Sequence, residues 1–135
     1  MILIVCVDDD YGMGFNRRRQ SSDRVVTAEI VKMSAGKKLW IDPYSAPLFP
    51  EGTELFDHKN FLSLADKGEF CFAECIDVSP WINKAEEIVI FRWNRKYPSD
   101  VKFPFHMLLS GWKLFSTKEF AGSSHETVTM EAYKR

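Results

Sequence analysis

The chain has 135 residues, enough for one domain with a single sizeable core, and 45% hydrophobic with 27% charged residues excludes a disordered polymer. Its 18 basic and 19 acidic residues leave a formal net charge of -1. No global charge therefore draws it to nucleic acid or an anionic membrane, and any polyanion binding must be local.

Ile2–Val7 is apolar on both faces, as a central strand covered by helices on either side would be. It runs into Asp8-Asp9-Asp10, then Gly12-Met13-Gly14, then Arg17-Arg18-Arg19-Gln20. That order is how α/β proteins build a site at the carboxyl end of a central strand. The run is too short for a signal peptide, no stretch is long enough to span a bilayer, and the cytoplasm is the expected compartment. Ser21 or Ser22 can cap a helix reaching about Ser34, with Gly36 as its stop. Lys38–Asp42 reads as a short strand ended by Pro43, and Tyr44–Phe49 as one helical turn. Asp57 can cap a helix through Ala65, closed by Gly68.

Glu69–Ala73 is the next strand, and Ser79-Pro80 is a helix start with proline at the first helical position. Glu87–Trp93 is a fourth strand. Gly111–Glu119 and Glu126–Lys134 alternate as an antiparallel pair joined by Phe120–His125. The order predicts one α/β domain over 1–135, a largely parallel sheet with an antiparallel C-terminal hairpin. The exposed edge of that hairpin is compatible with a homodimer. Cys6, Cys71 and Cys75 lie in apolar segments and read as buried thiols. His58, His106 and His125 are isolated, so no metal is expected.

This order resembles dihydrofolate reductase. Ala85–Asn94 followed by Asp100-Val-Lys-Phe-Pro104 is similar to that family's late strand and its Asp-x-x-Phe-Pro turn. Trp112 opens a strand as a tryptophan does there, and Ser124-His125 through Arg135 is similar to the final strand. Gly12-Met13 and the helix opening at Ser22-Asp23 follow in the family's spacing. The resemblance implies a three-layer sandwich, and makes Asp23 the counterpart of the substrate-gripping carboxylate.

The cofactor motifs depart from the family. Asp42-Pro43-Tyr44-Ser45 stands where the resemblance implies a glycine and an arginine-led helix, and Glu74-Cys75, with Asp77 nearby, replaces the glycine pair. A carboxylate about 4 Å from a phosphate costs roughly 1 to 4 kcal/mol at surface-like dielectric. Between Phe49 and Glu69 there is room for one helix but not for the additional strand and nucleotide-binding loop. No cofactor is expected, and NADPH is disfavoured. A second resemblance, through Val7-Asp8-Asp9 and Phe15-Asn16-Arg17-Arg18-Arg19-Gln20-Ser21, is to short chains labelled ribonuclease Z. That activity needs a His-x-His-x-Asp-His cluster, which this sequence lacks.

Candidate chemistry gathers on a few residues. Asp8 to Asp10 can hold Mg²⁺, supply a carboxyl of raised pKa, or simply be a solvated loop. Arg17, Arg18, Arg19 and Gln20, before a helix N-terminus, can converge on one anion or pair with Asp8–Asp10. Asp23 can hold an amino-heterocycle or complement the helix dipole. Trp40 can stack on a base or pack in the core, and Asp42, Tyr44 and Ser45 sit beside it. Ser124 and His125 lie in a long loop, with no acid at a spacing that completes a triad. The leading expectation is a small-molecule binder or enzyme for an anionic nucleotide- or pterin-like heterocycle, held between Asp8–Arg19, Asp23 and Asp42–Ser45. The alternative is a non-catalytic module that docks protein or RNA through Arg17–Arg19.

Overall fold

The computed structural model describes residues 1–135. In chain order the strands are β1 (Ile2–Val7), β2 (Gly12–Phe15), β3 (Arg18–Arg19), β4 (Leu39–Ile41), β5 (Phe56–Asp57), β6 (Phe70–Phe72), β7 (Glu87–Arg92), β8 (Val101–Lys102), β9 (Lys113–Phe120) and β10 (Val128–Lys134). The helices are α1 (Arg24–Met33) and α2 (Phe61–Leu64), with 3-10 turns at Pro43–Leu48, Ser79–Lys84 and Phe105–Leu108.

β1 lies at the centre of a seven-stranded sheet of order β5-β4-β6-β1-β7-β10-β9. β5, β4, β6, β1 and β7 run parallel, and the β9–β10 hairpin joins antiparallel to β7. The alternation of β1 divides the core between the two faces. Leu3, Val5 and Val7 pack with Phe61 and Leu62 of α2 and with Ile82. Ile4 packs on the other face with Val26 and Ile30 of α1. Helical layers on both sides of one sheet make the expected three-layer sandwich. No helix is long and apolar enough to cross a membrane.

A second, three-stranded sheet, β3-β2-β8, was not legible in the sequence. β2 and β3 form a hairpin whose turn residues Asn16 and Arg17 both adopt left-handed backbone, φ 53° and 63°, as a two-residue hairpin turn requires. Gly14 admits the backbone of β2 against Cys75, whose Sγ would lie 2.7 Å from an added Cβ.

Three local expectations are corrected. The α1 cap is Asp23 rather than Ser21 or Ser22, its carboxylate accepting from the Val25 amide at 2.9 Å. Asp57 caps no helix. With Phe56 it forms β5, a strand in the span expected to hold only a helix, because Phe56 packs on Trp40 with ring centroids 5.4 Å apart and His58 N–H donates to Ile41. The turn after Ser79 is 3-10 rather than α, and Ser79 lies inside it while Val78 occupies the cap position.

β9 ends the sheet, and Lys113–Glu119 is exposed along its whole length.

Candidate functional site

Asp8, at the end of β1, organises the loop that follows. One oxygen accepts from the amides of Asp10 (2.9 Å) and Gly12 (2.7 Å), and the other from the Tyr97 amide (3.0 Å) and Gln20 Nε2 (3.1 Å). Burial alone would raise its pKa, but the Tyr97, Gly12 and Asp10 amides and the Gln20 side chain outweigh it and hold the carboxyl below its ordinary value. The raised acid considered from sequence is therefore not Asp8. Gln20 Nε2 also donates to the Pro98 carbonyl, and its Oε1 is buried without a partner. Asp10 pairs with Lys96 at 3.4 Å. No three His, Cys, Asp or Glu side chains come together as a metal centre would need.

The arginines do not converge on an anion. Arg17 and Arg18 are exposed on the β2–β3 hairpin and form no salt bridge, and the α1 N-terminus is capped by Asp23. Arg19 turns inward and pairs with Glu74 rather than with Asp8–Asp10. Its Nε and Nη2 donate to the two Glu74 oxygens at 2.9 and 3.0 Å. Tyr44 lies beneath the guanidinium, 4.3 Å from Cζ to ring centroid, and its hydroxyl accepts from the Arg19 amide. Ser45 Oγ adds a third bond to Glu74 at 2.8 Å. Asp42 caps its own turn through the Tyr44 amide, and Trp40 donates to Glu69 at 3.0 Å. The ends of β4 and β6 are thus filled by the chain's own side chains.

Asp23 is also fully engaged. Oδ1 accepts from Val25 N, Ser123 N and Ser123 Oγ. Oδ2 accepts from Ser124 N and His125 N and lies 2.9 Å from His125 Nδ1. Burial would raise this carboxyl, but the Ser123 amide, His125 and the Ser124 and Val25 amides together hold it well below the carboxylate range. In this arrangement no lone pair is left for a heterocycle. The loop Gly122–His125, closed by a Gly122 N–H to His125 carbonyl bond of 3.0 Å, occupies the ground an Asp23 ligand would use. His125 stacks on Trp93 at 4.4 Å, and its Nε2 lies 2.9 Å from Ser21 Oγ and 3.3 Å from the Tyr97 hydroxyl.

An open cleft lies elsewhere. A cleft of about 760 Å³ runs between Asp10-Tyr11, Asp77, Ser79 and Asp100–His106. Its floor is the Tyr11–Phe105 ring pair, stacked at 4.5 Å. The Arg92 guanidinium sits 4.7 Å from the Tyr11 centroid, held by Glu131 at 2.7 Å and by the Tyr11 hydroxyl at 3.0 Å. Tyr11 has φ 61°, an uncommon conformation for a bulky residue and one that clusters at binding sites. Asp77 accepts from the Ser79 amide and hydroxyl, and Asp100 accepts from the Asn16 amide. Of the candidates drawn from sequence only Asp10 borders this cleft. Much of its wall is Asp100–His106, which includes the Asp-x-x-Phe-Pro turn quoted above for its resemblance and not as a ligand site.

No protein-family model matches the chain, and none of the curated proteins matches it. Among solved structures, dihydrofolate reductase from Enterococcus faecalis, complexed with NADP(H) and RAB-propyl, is similar at TM-score 0.71 and 12% identity. That match covers 99% of this chain and 95% of that one. The fold is dihydrofolate reductase-like, and at this identity the likeness is one of fold alone.

Proposed function

We propose that the chain is a small-molecule binding protein whose ligand is a nucleotide- or pterin-like heterocycle held in the Tyr11–Phe105 cleft. The observation that carries this reading is the stacked aromatic floor of a cleft of about 760 Å³, within the range of small-molecule sites, next to the carboxyl end of β1. Along the cleft walls the carboxylates of Asp10, Asp77 and Asp100 face only Lys102 and His106 as basic groups. That balance favours a ligand presenting amino groups over the anionic one suggested by the arginine run. NADPH has no part in this reading, since Arg19, Ser45 and Glu74 fill the ends of β4 and β6 with a carboxylate at the centre.

A thermal-shift screen with pterins, purine nucleosides and nucleotides tests it, because a ligand of the native state raises the midpoint. A saturable rise with a neutral pterin or nucleoside, lost in Phe105→Ala and retained in Arg18→Ala, is the expected result. No rise with any of them, or a rise that survives Phe105→Ala, overturns it.

One observation favours a second reading, a non-catalytic module. Arg17 and Arg18 stand exposed at a hairpin tip and none of the chain's salt bridges involves them. A protein or RNA partner bound there would show an affinity that falls steeply with salt and is lost in the Arg17→Ser, Arg18→Ser double variant.

A further inference from the structure

We infer that Ser21, His125 and Asp23 form a nucleophilic triad, a second site that hydrolyses small esters. Ser21 Oγ lies 2.9 Å from His125 Nε2, and His125 Nδ1 lies 2.9 Å from Asp23 Oδ2. Nucleophile, base and orienting acid are in the mutual geometry acyl transfer requires, although their order and spacing in the chain follow no familiar pattern.

Hydrogen-bond logic fixes the tautomer. Asp23 is an ionised acceptor with five other donors on it, so Nδ1 must donate to it. In the neutral imidazole Nε2 is then the acceptor, and the Ser21 hydroxyl, at 2.9 Å against 3.3 Å for the Tyr97 hydroxyl, is the nearer donor to it. Stacking on Trp93, with ring planes 18° apart, holds the imidazole in that orientation. His125 is buried while Ser21 is half-exposed, so the nucleophile is the member solvent can reach. The Ser22 amide, next in the chain to the nucleophile, makes no backbone bond and is a donor available to a developing oxyanion.

The reaction balances without a further co-reactant. Ser21 Oγ bonds to the ester carbonyl carbon as its proton passes to His125 Nε2. The carbon–alkoxide bond then breaks, and the imidazolium returns the proton to the departing alcohol. Water, deprotonated by the same nitrogen, attacks the acyl-Ser21 and releases the acid with Ser21 restored. Asp23 touches no reacting atom and is a positioning residue.

The same contacts pin the β9–β10 loop to α1, but a Ser21 that served only this purpose would not react as a nucleophile. The test is therefore covalent. Wild-type protein treated with an alkyl fluorophosphonate is expected to gain one adduct by intact mass, mapping to Ser21, and Ser21→Ala to gain none. p-Nitrophenyl acetate hydrolysis should fall at least tenfold in Ser21→Ala, while Asp23→Asn lowers kcat about a hundredfold with KM unchanged. Absence of an adduct, an adduct on another residue, or equal hydrolysis by Ser21→Ala overturns the triad. Wild type and Ser21→Ala are sufficient to decide between these outcomes, even if Asp23→Asn does not fold.

Discussion

Arg19 grips Glu74 across 55 residues of chain with two parallel bonds, Nε to Oε2 at 2.9 Å and Nη2 to Oε1 at 3.0 Å. The Glu74 side chain is 8% exposed, so losing Arg19 strands a nearly buried charge on one hydroxyl. Arg19→Met is expected to cost about 2 to 3 kcal/mol, somewhat below a fully buried pair because Arg19 itself keeps a quarter of its surface. The Arg19→Met, Glu74→Met double variant should recover much of that loss, since no charge is then left unpaired. Urea unfolding of the wild type, Arg19→Met, Glu74→Met and the double variant gives the coupling directly, and strict additivity would contradict it.

Acid should loosen the β9–β10 loop first. A carboxyl with depressed folded pKa contributes stability that is complete above its unfolded value, about 3.9, and is lost as pH falls below it toward the folded value. Asp23 and Asp8 are both depressed. Unfolding free energy should therefore decline from about pH 4 downward, and more shallowly in Asp23→Asn. A pH series of denaturant melts measures this, and identical slopes for the two proteins would contradict it.

Gly122 has no room for a Cβ, which would meet the Asp23 carboxylate and, at 2.9 Å, the His125 carbonyl. Neither neighbour can retreat, because each is held by several bonds. Gly122→Ala is expected to cost about 1 to 3 kcal/mol by overpacking. A midpoint change of under one degree would show that the loop is not held as described.

The thiols should be slow. Burial raises Cys6 well above its ordinary value, helped by Glu74 and Asp23, pushes Cys71 up to about 12, and with Glu74 pushes Cys75 up to about 11. At pH 8 the thiolate fraction of Cys75 is then on the order of a thousandth. A disulfide reagent should find three thiols in denaturant, all free, and react far more slowly with the native protein. Rapid labelling of Cys75 in the native state would refute this.

What could be read in advance depended on how local the signal was. β1 announced itself by being apolar on both faces, β7 by its unbroken hydrophobic run, and α1 by the 26/30/33 stripe ending before Gly36. β2, β3 and β8 gave no such sign. They are strands of two to four residues, β2 rich in glycine, β3 two arginines and β8 Val-Lys, and their pairing joins Gly14 to Val101. The Arg19–Glu74 pair and the Asp23–His125 contact were hidden for the same reason, since each partner looked like an ordinary loop or cap residue alone. Asp23 reads from sequence as a ligand carboxylate or a helix-dipole acid, and neither reading anticipates donors from a loop a hundred residues later. The small-residue run Gly122-Ser-Ser-His125 was the available hint.

The loop on Asp23 also indicates how related chains can be recognised. Ser124 serves Asp23 with its backbone amide and Ser123 adds a hydroxyl bond of 3.2 Å, so neither side chain is indispensable. Gly122 is fixed by sterics, and Asp23 and His125 by their mutual bond. Divergence elsewhere can proceed to the point where overall identity carries no information. An aspartate opening the first helix, followed about a hundred residues later by Gly-x-x-His before the last strand, would still mark a chain built around the same lock.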